Sequence, residues 1–461
     1  MIRMTLEEIA LAVGARVSPE AGRLPVTGVS TDTRSIAAGD LFLALDGPSR
    51  RGSDFIGEAF RAGAVAAIAP RAVEADGPVL VVASADQALL DLGAEVRKRL
   101  RIPVIGITGT NGKTTTKDCI AALLGARFKV VAATGSFNNK IGVPLTICRA
   151  DHETEVLVLE IGTNAPGEIR TLGAVARPTI AVLTSIGPGH LQGLAGVSGV
   201  LAEKLSLIEC VEPGGWVFLN GDDERLARAD LPAGARLGKV VRYGVSPECT
   251  FRPLDATLDD QGVGFRLSPK GPMIRARLRG RKNLGNLAGA VAVARAFGLD
   301  DQALVYGAAG IQPPKMRMET RRIAGMEIVF DCYNANPASM TAALDEWCGR
   351  PAVGRRVAIL GDMLELGDES AHYHRELGRR LATLPVAAIF LVGEAVAHAH
   401  DACLEMGVPS DRIRRFANCA AARPAVEALL RPGDDVLLKG SRGIGLERLF
   451  DRPLAAEVAR A

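Results

Sequence analysis

A glycine-rich loop is the feature of the sequence that most directly indicates chemistry. The run Gly106-Ile-Thr-Gly-Thr-Asn-Gly-Lys-Thr-Thr follows an apolar strand and precedes residues 117–124, which can form a helix. Glycines let backbone amides converge on phosphate oxygens, and a helix N-terminus adds a favourable dipole. Lys113 is placed to reach the β- and γ-phosphates, and the Thr114 hydroxyl to bind Mg²⁺. Five residues separate Gly106 from Gly112, one more than usual, so we interpret the run as a variant phosphate loop.

Two further side chains come at the ends of neighbouring apolar runs. Glu160 ends the run Val-Leu-Val-Leu-Glu, and His190 lies in the loop that follows the strand predicted at 179–185. The carboxyl ends of parallel strands face the crevice in which such sheets bind ligands. Because an unpaired buried carboxylate is costly, we expect a cation beside Glu160. Alone, His190 is typical of a hydrogen-bonded loop histidine, whereas beside Glu160 and Thr114 we interpret it as a metal ligand.

The elements that must position these residues form three α/β units in series. Apolar runs long enough for one strand alternate with helical stretches, a pattern that implies parallel sheets buried on both faces. We predict units at 1–100, 101–312 and 313–461: a small α/β unit, a central phosphate-loop unit with a parallel sheet, and a Rossmann-like unit. Residues 250–280 alternate apolar and polar side chains and predict a small antiparallel appendage to the central unit.

Composition excludes several classes of protein. The chain has 461 residues and a formal net charge of +3 without a basic block, which gives no electrostatic basis for binding nucleic acid or an anionic membrane surface. Residues 178–202 lack charged side chains, but their glycine density predicts a strand followed by a loop instead of a membrane span. The eight scattered cysteines indicate reduced thiols. We therefore expect a soluble cytoplasmic protein.

The phosphate-loop run, with Glu160 and His190 downstream, resembles the ATP site of the Mur ligases of bacterial cell-wall synthesis. Further along the chain, Asn-Leu-Gly-Asn from Asn283, Lys-Met-Arg-Met-Glu and Asp-Cys-Tyr-Asn-Ala-Asn-Pro from Asp331 are similar to later motifs of that family. The resemblance covers essentially the whole chain. It implies an ATP-binding set of Gly109, Thr110, Asn111, Gly112, Lys113, Thr114, Thr115, Asn283, Asn286, Arg317, Asp331 and Asn334.

The resemblance also implies the metal and catalytic residues. Two Mg²⁺ ions would be bound by Thr114, Glu160, His190 and Lys204, the last as a carbamate. The catalytic residues would be Lys113, His190, Lys204 and Arg317. The segment around Lys204 is looser than the family pattern, so a solvated helix lysine is the alternative. Departures from the family also include Lys282 in place of a histidine, Lys140 in place of a glutamate and Gln192 in place of a glutamate.

Within the family, three segments resemble those of the members that add D-alanyl-D-alanine to UDP-N-acetylmuramoyl-tripeptide. They are residues 331–340, 360–367 and 138–144, the last joined by 160–168. The front unit is similar to a UDP-muramoyl-binding domain. The implied UDP-substrate residues are Ser30, Thr31, Asp32, Arg34, Asn138, Asn139 and Asn164, and the implied dipeptide residues are Asn336, Asp362, Glu365, Ser441 and Arg442, with Lys439 beside them.

The activity implied is formation of an amide bond through an acyl-phosphate made from ATP, in a monomer whose third unit closes over the nucleotide. Two alternatives stay open. A sibling ligase would add a diamino acid, diaminopimelate or lysine, and the Asn-Ala-Asn-Pro segment weighs against it. A nucleotide-dependent switch would leave Glu160, His190, Asp331 and the third unit without a role.

Overall fold

The structure, a computed structural model, describes residues 1–189, 191–259, 261–351 and 354–451. In the first unit, four parallel strands pair in the order β3-β4-β5-β6, beside a two-stranded antiparallel ribbon of β1 and β2. The strands are β1 Met4–Thr5, β2 Pro25–Val26, β3 Gly28–Ser30, β4 Asp40–Leu43, β5 Ala66–Ala69 and β6 Val79–Val81. The helices are α1 Leu6–Ala12, α2 Pro19–Gly22, α3 Ile56–Arg61 and α4 Ala85–Arg99.

Helix α4 links the first unit to the central one. Its apolar face buries Leu89, Leu92 and Val96. The buried Arg97 guanidinium donates to the carbonyls of Leu100, Ala176 and Arg177 at 2.7–2.8 Å. These three hydrogen bonds offset the free energy that is lost when the cation is removed from water. Because two of the acceptors lie in the central unit, the bonds also join the two units.

The central unit is built on six parallel strands in the order β12-β11-β10-β7-β9-β8. The strands are β7 Val104–Thr108, β8 Val130–Ala132, β9 Val156–Glu160, β10 Ile180–Leu183, β11 Trp216–Asn220 and β12 Lys239–Tyr243. A three-stranded antiparallel sheet, β13 Leu254–Asp259, β14 Gly262–Arg266 and β15 Ile274–Ala276, is appended as predicted. The helices are α5 Lys113–Leu124, α6 Gly142–Cys148, α7 Glu168–Ala176, α8 Leu191–Leu194, α9 Gly196–Glu209, α10 Glu224–Ala227, α11 Arg281–Ala296 and α12 Asp301–Ala309.

The third unit has a six-stranded sheet in the order β16-β17-β21-β18-β19-β20, parallel except for the edge strand β16. Its strands are β16 Glu319–Ile323, β17 Met326–Asp331, β18 Arg356–Gly361, β19 Ala388–Val392, β20 Ile413–Phe416 and β21 Asp435–Lys439. Its helices are α13 Pro337–Gly349, α14 Ser370–Ala382, α15 Ala397–Glu405 and α16 Cys419–Leu429. The α/β class with parallel sheets is confirmed, and the unit boundaries stay predictions.

One local prediction was wrong. Residues 196–202 were expected to form a loop, but they begin helix α9. Burial of Val200, Leu207 and Ile208 stabilises this helix despite its glycines, because packing of an apolar face outweighs helix propensity. Among the residues described, no helix combines the length and the apolar character that a membrane crossing requires.

Candidate active site

The phosphate loop lies between β7 and α5, at the carboxyl edge of the central sheet. Gly109 and Gly112 adopt φ values of 151° and 84°, which side chains rarely allow. A Cβ atom at Gly109 would overlap Thr184, and one at Gly112 would overlap Asn286. No side chain caps α5. The bare loop and the uncapped helix start therefore fit a phosphate group, and the binding role of residues 109–115 stays a prediction.

Lys113 folds back over this loop. Its ammonium donates to the carbonyl of Gly109 at 2.8 Å and to that of Thr110 at 3.3 Å. Burial lowers the pKa of Lys113, while the nearby Glu160 carboxylate acts in the opposite direction. The two carbonyls accept hydrogen bonds from the Lys113 ammonium. The anionic oxygens of a bound nucleotide would replace these carbonyls as its acceptors.

The Thr114 hydroxyl is the meeting point of the site. It donates to Glu160 Oε2 at 2.7 Å, lies 3.1 Å from Ser136 Oγ and accepts a hydrogen bond from Arg317 at 3.1 Å. The other Glu160 oxygen accepts from Asn138 Nδ2 at 2.8 Å, and Glu160 is buried. In the central unit, Thr114 lies on α5, Glu160 on β9, and Ser136 and Asn138 in the loop between β8 and α6, whereas Arg317 comes from the third unit.

This donor set fits magnesium. Hydroxyl and carboxylate oxygens are hard ligands, and Mg²⁺ is usually held by one or two carboxylates together with substrate phosphates. Within the described ranges, no group of three or more His, Cys, Asp or Glu side chains could hold a metal. Water and nucleotide oxygens would complete the ligands of a magnesium ion at Thr114 and Glu160. His190 lies outside the described residues.

Lys204 is buried within α9, with 1% of its surface exposed, which excludes the alternative of a solvated helix lysine. Burial lowers the pKa of Lys204 well below its usual range, repulsion from Lys113 adds to this, and Glu203 opposes it. The Glu203 carboxylate is engaged elsewhere, because it accepts from the amides of Gly167 and Ile169 at 2.8 Å. A neutral amine is the form that reacts with carbon dioxide to give a carbamate.

The predicted nucleotide residues form two groups. On α11, Asn286 donates to Asn283 at 2.8 Å and accepts at 3.3 Å from Thr116 of α5, a residue outside the predicted set. On the third unit, Asp331 accepts from the Met318 amide at 3.1 Å. Lys439 was expected to face the dipeptide, and that role stays a prediction. Its side chain is 1% exposed, and its ammonium ion-pairs with Asp331 at 2.7 Å and reaches the carbonyl of Asn334 at 3.2 Å.

The third unit touches the phosphate loop directly. Asn336 Nδ2 donates to Asn111 Oδ1 at 2.8 Å, and the reciprocal bond measures 3.3 Å. Arg317, stacked 4.5 Å from the Tyr333 ring centre, reaches Thr114 as described above. Lys282 donates to the carbonyl of Ala338 at 3.0 Å. A crevice of about 370 Å³ opens beside this last contact, lined by Pro188, Lys282, Pro337, Ala338, Thr341, Ala342 and Asp345.

The predicted dipeptide residues already carry structural contacts. Asp362 is buried and accepts from the amides of Glu394 and Val396 at 3.0 and 2.8 Å. Ser441 Oγ accepts from the Leu364 amide at 2.9 Å. Arg442 is exposed and donates to Glu447 at 2.6 Å, and Glu365 has a positive φ of 64°. Their part in binding a dipeptide, like that of Asn336, stays a prediction.

The predicted UDP-substrate residues lie on two units. In the first, Ser30 Oγ donates to the Asp32 carbonyl, Thr31 follows in the same turn, and the Arg34 guanidinium lowers the pKa of Asp32 to about 2. On the central unit, Asn139 accepts from the amides of Ile141 and Gly142, and Asn164 donates its amide to Glu168. Asn138 alone of this set contacts the Thr114–Glu160 pair.

Ser136 is the site residue that the sequence reasoning missed. Its hydroxyl approaches Thr114, although it lies two residues before the predicted Asn138, in the loop 133–141 between β8 and α6. Position in the same loop as Asn138 was the signal that could have identified it.

The chain is similar to known protein families along most of its length. Three family models match in succession: the Mur ligase family, catalytic domain, over residues 25–107; the Mur ligase middle domain over 107–294; and the Mur ligase, glutamate ligase domain over 316–442. Together they span the phosphate loop, Glu160, Arg317 and Asp331.

Individual proteins are similar over the full length. A Bacillus subtilis protein named UDP-N-acetylmuramoyl-tripeptide–D-alanyl-D-alanine ligase is 33% identical over 99% of this chain and 100% of its own. The crystal structure of MurF from Acinetobacter baumannii has a TM-score of 0.85 and 28% identity, over 100% of this chain and 99% of that one. MurF ligase from Thermotoga maritima in complex with ADP has a TM-score of 0.78 and 26% identity, over 95% and 99%.

Proposed function

The chain belongs to the Mur ligase family, and we propose that it is an ATP-dependent ligase that joins D-alanyl-D-alanine to UDP-N-acetylmuramoyl-tripeptide. The observation that supports placing the reaction at this site is the contact of Thr114 with both Glu160 and Arg317. It brings two oxygen ligands suited to a metal ion, and a cation from the third unit, to one phosphate loop. The product is the pentapeptide precursor of peptidoglycan.

The chemistry requires two anions to approach each other. An oxygen of the tripeptide's terminal carboxylate attacks the γ-phosphorus, and ADP leaves to give an acyl-phosphate. The dipeptide amine then attacks the acyl carbon, phosphate leaves, and the amine loses a proton. Lys113 and Arg317 are the cations that would spread charge over the transferring phosphoryl group, and such preorganised charge is usually a large part of catalysis.

Magnesium would be held by Thr114 and Glu160, with Ser136 adjacent, and when bound it neutralises phosphate charge. A second ion would use His190 and Lys204 as a carbamate, in which the lysine nitrogen bonds to carbon dioxide and releases a proton. The burial of Lys204 supports this assignment, because a buried carbamate needs a cation beside it. The two-ion site is part of the proposal.

The substrates would be divided among the three units. The turn at Ser30–Arg34 and the asparagines 138, 139 and 164 would take the UDP-tripeptide, Asn283, Asn286, Asp331 and Asn334 the nucleotide, and Asn336, Asp362, Glu365, Ser441 and Arg442 the dipeptide. We further propose a cytoplasmic monomer with units at 1–100, 101–312 and 313–461. The ion pair with Lys439 orients the Asp331 carboxylate. A fixed orientation would suit a carboxylate that accepts hydrogen bonds from ribose hydroxyls.

Phosphate release by the purified chain with ATP, Mg²⁺ and UDP-N-acetylmuramoyl-tripeptide, with and without D-alanyl-D-alanine, tests the proposal. We expect release that depends on the dipeptide and equals the pentapeptide formed, as measured by mass spectrometry, and its loss in Lys113→Ala. Release only with a diamino acid and a shorter UDP-muramoyl peptide would assign the sibling activity. Release indifferent to any amine would indicate a nucleotide switch.

A further inference from the structure

A second lysine of α5, one turn beyond Thr114, is buried and has no part in the proposed chemistry. Lys117 has 1% of its surface exposed, although a lysine is almost never fully buried unless it is paired. It lies on the helix that begins at the phosphate loop, beside the candidate site.

The Lys117 ammonium has three acceptors. It donates to the carbonyl of Ala133 at 2.6 Å and to that of Gly135 at 2.8 Å, and it pairs with Asp118 Oδ1 at 2.8 Å. An ammonium carries three donors on a flexible stem, so these contacts satisfy it completely. Two of the three contacts are made to the backbone of the loop 133–141, and they fasten this loop to helix α5.

The fastened loop carries both side chains that flank the proposed magnesium ligands. Ser136, next to the bound Gly135 carbonyl, places its hydroxyl 3.1 Å from Thr114, and Asn138 donates to Glu160 at 2.8 Å. The far end of the loop is held separately, because the carbonyl of Asn138 accepts from the Gly162 amide at 2.8 Å. At the near end, where Ser136 lies, Lys117 acts together with two other contacts: the Ala133 amide donates to the Val158 carbonyl at 3.1 Å, and Arg149 donates to Thr134 Oγ1 at 2.8 Å.

We propose that Lys117 is a positioning residue that holds the near end of the loop 133–141 against α5, so that Ser136 keeps Thr114, and with it the Thr114–Glu160 pair, arranged for the magnesium–nucleotide complex. The inference deepens the proposed function, since it concerns the same site. A residue that orients metal ligands from the next layer out typically changes metal affinity or activity 10- to 100-fold when it is removed.

The chain offers a matched control. Arg97 is also a buried cation whose donors go to backbone carbonyls, but it joins α4 to the end of α7, away from the phosphate loop. Arg97→Met and Lys117→Met each remove a buried cation from carbonyl acceptors. Both variants should unfold at a lower temperature, because the abandoned acceptors lose their partners. Only Lys117→Met should alter the response to magnesium.

The readout is the affinity of a fluorescent ADP analogue, titrated without Mg²⁺ and at rising Mg²⁺ concentration. For Lys117→Met we expect the half-saturating Mg²⁺ concentration to rise about 10- to 100-fold, while the affinity without Mg²⁺ changes less than about twofold. For Arg97→Met both quantities should equal those of the unsubstituted protein. An unchanged Mg²⁺ response in folded Lys117→Met would overturn the proposal. If the methionine variant does not fold, Lys117→Gln, which keeps one donor group, is measured in its place.

A double-variant cycle separates positioning from a general loosening of the helix. In the background of Ser136→Ala, the side chain through which Lys117 acts is gone, so Lys117→Met should add little to the Mg²⁺ effect. Full additivity would contradict the inference. Product formation by the unsubstituted protein is measured separately, so its absence alongside an intact Mg²⁺ response would refute the ligase assignment and leave the role of Lys117 standing.

Discussion

The Thr114 hydroxyl has a single proton and two lone pairs, and the structure uses all three. The proton goes to Glu160, so Arg317 must donate to one lone pair and Ser136 to the other. A cation that binds Thr114 needs one of these lone pairs. Arg317 is the donor better suited to leave, because its guanidinium can transfer to nucleotide phosphate oxygens, for which its planar fork is well matched.

Substitution of Glu160 by glutamine tests the carboxylate at the same scale. Glutamine keeps the volume and can still exchange hydrogen bonds with Thr114 and Asn138, but it removes the negative charge that attracts the cation. We expect kcat to fall at least about 100-fold and the melting temperature to change little. Phosphate release at rising Mg²⁺ concentration, together with scanning calorimetry, measures both.

Asp434→Asn provides the comparison for that experiment. Asp434 is also a buried carboxylate, but it pairs with Arg355 at 2.8 Å in the third unit. Its replacement should lower the melting temperature, since one partner of a buried pair is removed, and leave the rate per folded molecule near that of the unsubstituted protein. Equal losses of rate in the two variants would mean that Glu160 acts only through folding.

At the scale of elements, the loop that follows β18 is organised by a histidine of α14. His374 is fully buried; its Nε2 accepts from the Met363 amide at 3.1 Å, and Nδ1 lies 2.8 Å from the carbonyl of Ser370, to which it can donate. Both ring nitrogens are used by the neutral imidazole, so protonation would remove the bond from Met363. This loop also carries Asp362 and Glu365, two of the predicted dipeptide residues.

Burial lowers the pKa of His374, although the Ser370 carbonyl and the Asp362 carboxylate oppose the shift. The unfolded chain therefore binds a proton that the folded one does not, over a window that begins at about pH 6.5 and extends downward. Stability from this group is complete above that window and is lost as the pH falls. Between pH 7.5 and pH 5.5, we expect the melting temperature of the unsubstituted protein to drop by about 2–4 °C more than that of His374→Gln.

His372→Gln is the control for this pH dependence. His372 lies on the same helix but is more than half exposed and pairs with Glu376. Its replacement should leave the drop in melting temperature on acidification as it is in the unsubstituted protein. If His374→Gln shows the same drop as His372→Gln, the buried histidine does not contribute the expected proton linkage.

The elements also show how far a sequence can be interpreted. Strand β9 and its terminal Glu160 follow from a local run of apolar residues, because burial on both faces of a parallel sheet leaves that signature. The contacts of Ser136 and Asn336 with the phosphate-loop residues join positions 22 and 225 apart in the chain. They depend on how loops and units pack, and no local pattern encodes them. The ion pair of Lys439 with Asp331 was missed for the same reason.

At the scale of the molecule, the three units are joined in different ways. The first is fixed to the central unit by buried contacts of α4, including the Arg97 guanidinium. The third contacts the central unit beside the phosphate loop, through Arg317, the Asn111–Asn336 pair and Lys282, and also where the Gln192 amide donates to the Glu365 carbonyl. Because polar contacts of this kind can be exchanged for bonds to a ligand, closure of the third unit is the motion that we expect to accompany nucleotide binding.

The Asn111–Asn336 pair allows that expectation to be tested without disturbing α13. Asn336 caps this helix by accepting from the Ser339 amide at 2.9 Å, and a serine can also act as a cap. Asn336→Ser should therefore keep the helix but be too short to reach Asn111. We expect a larger radius of gyration in X-ray scattering without nucleotide. The KM for ATP should rise about 5- to 30-fold, which corresponds to about 1–2 kcal/mol.

Asn418→Ser makes the same substitution at the cap of α16, where Asn418 accepts from the Ala421 amide at 3.0 Å. It should shift the melting temperature by a similar amount and leave the KM for ATP unchanged. Asn111→Ala combined with Asn336→Ser should be no worse than the stronger single variant, since both remove one interaction. A rise in KM confined to D-alanyl-D-alanine would instead assign Asn336 to the dipeptide, as the sequence predicted, and separate substrate binding from closure of the units.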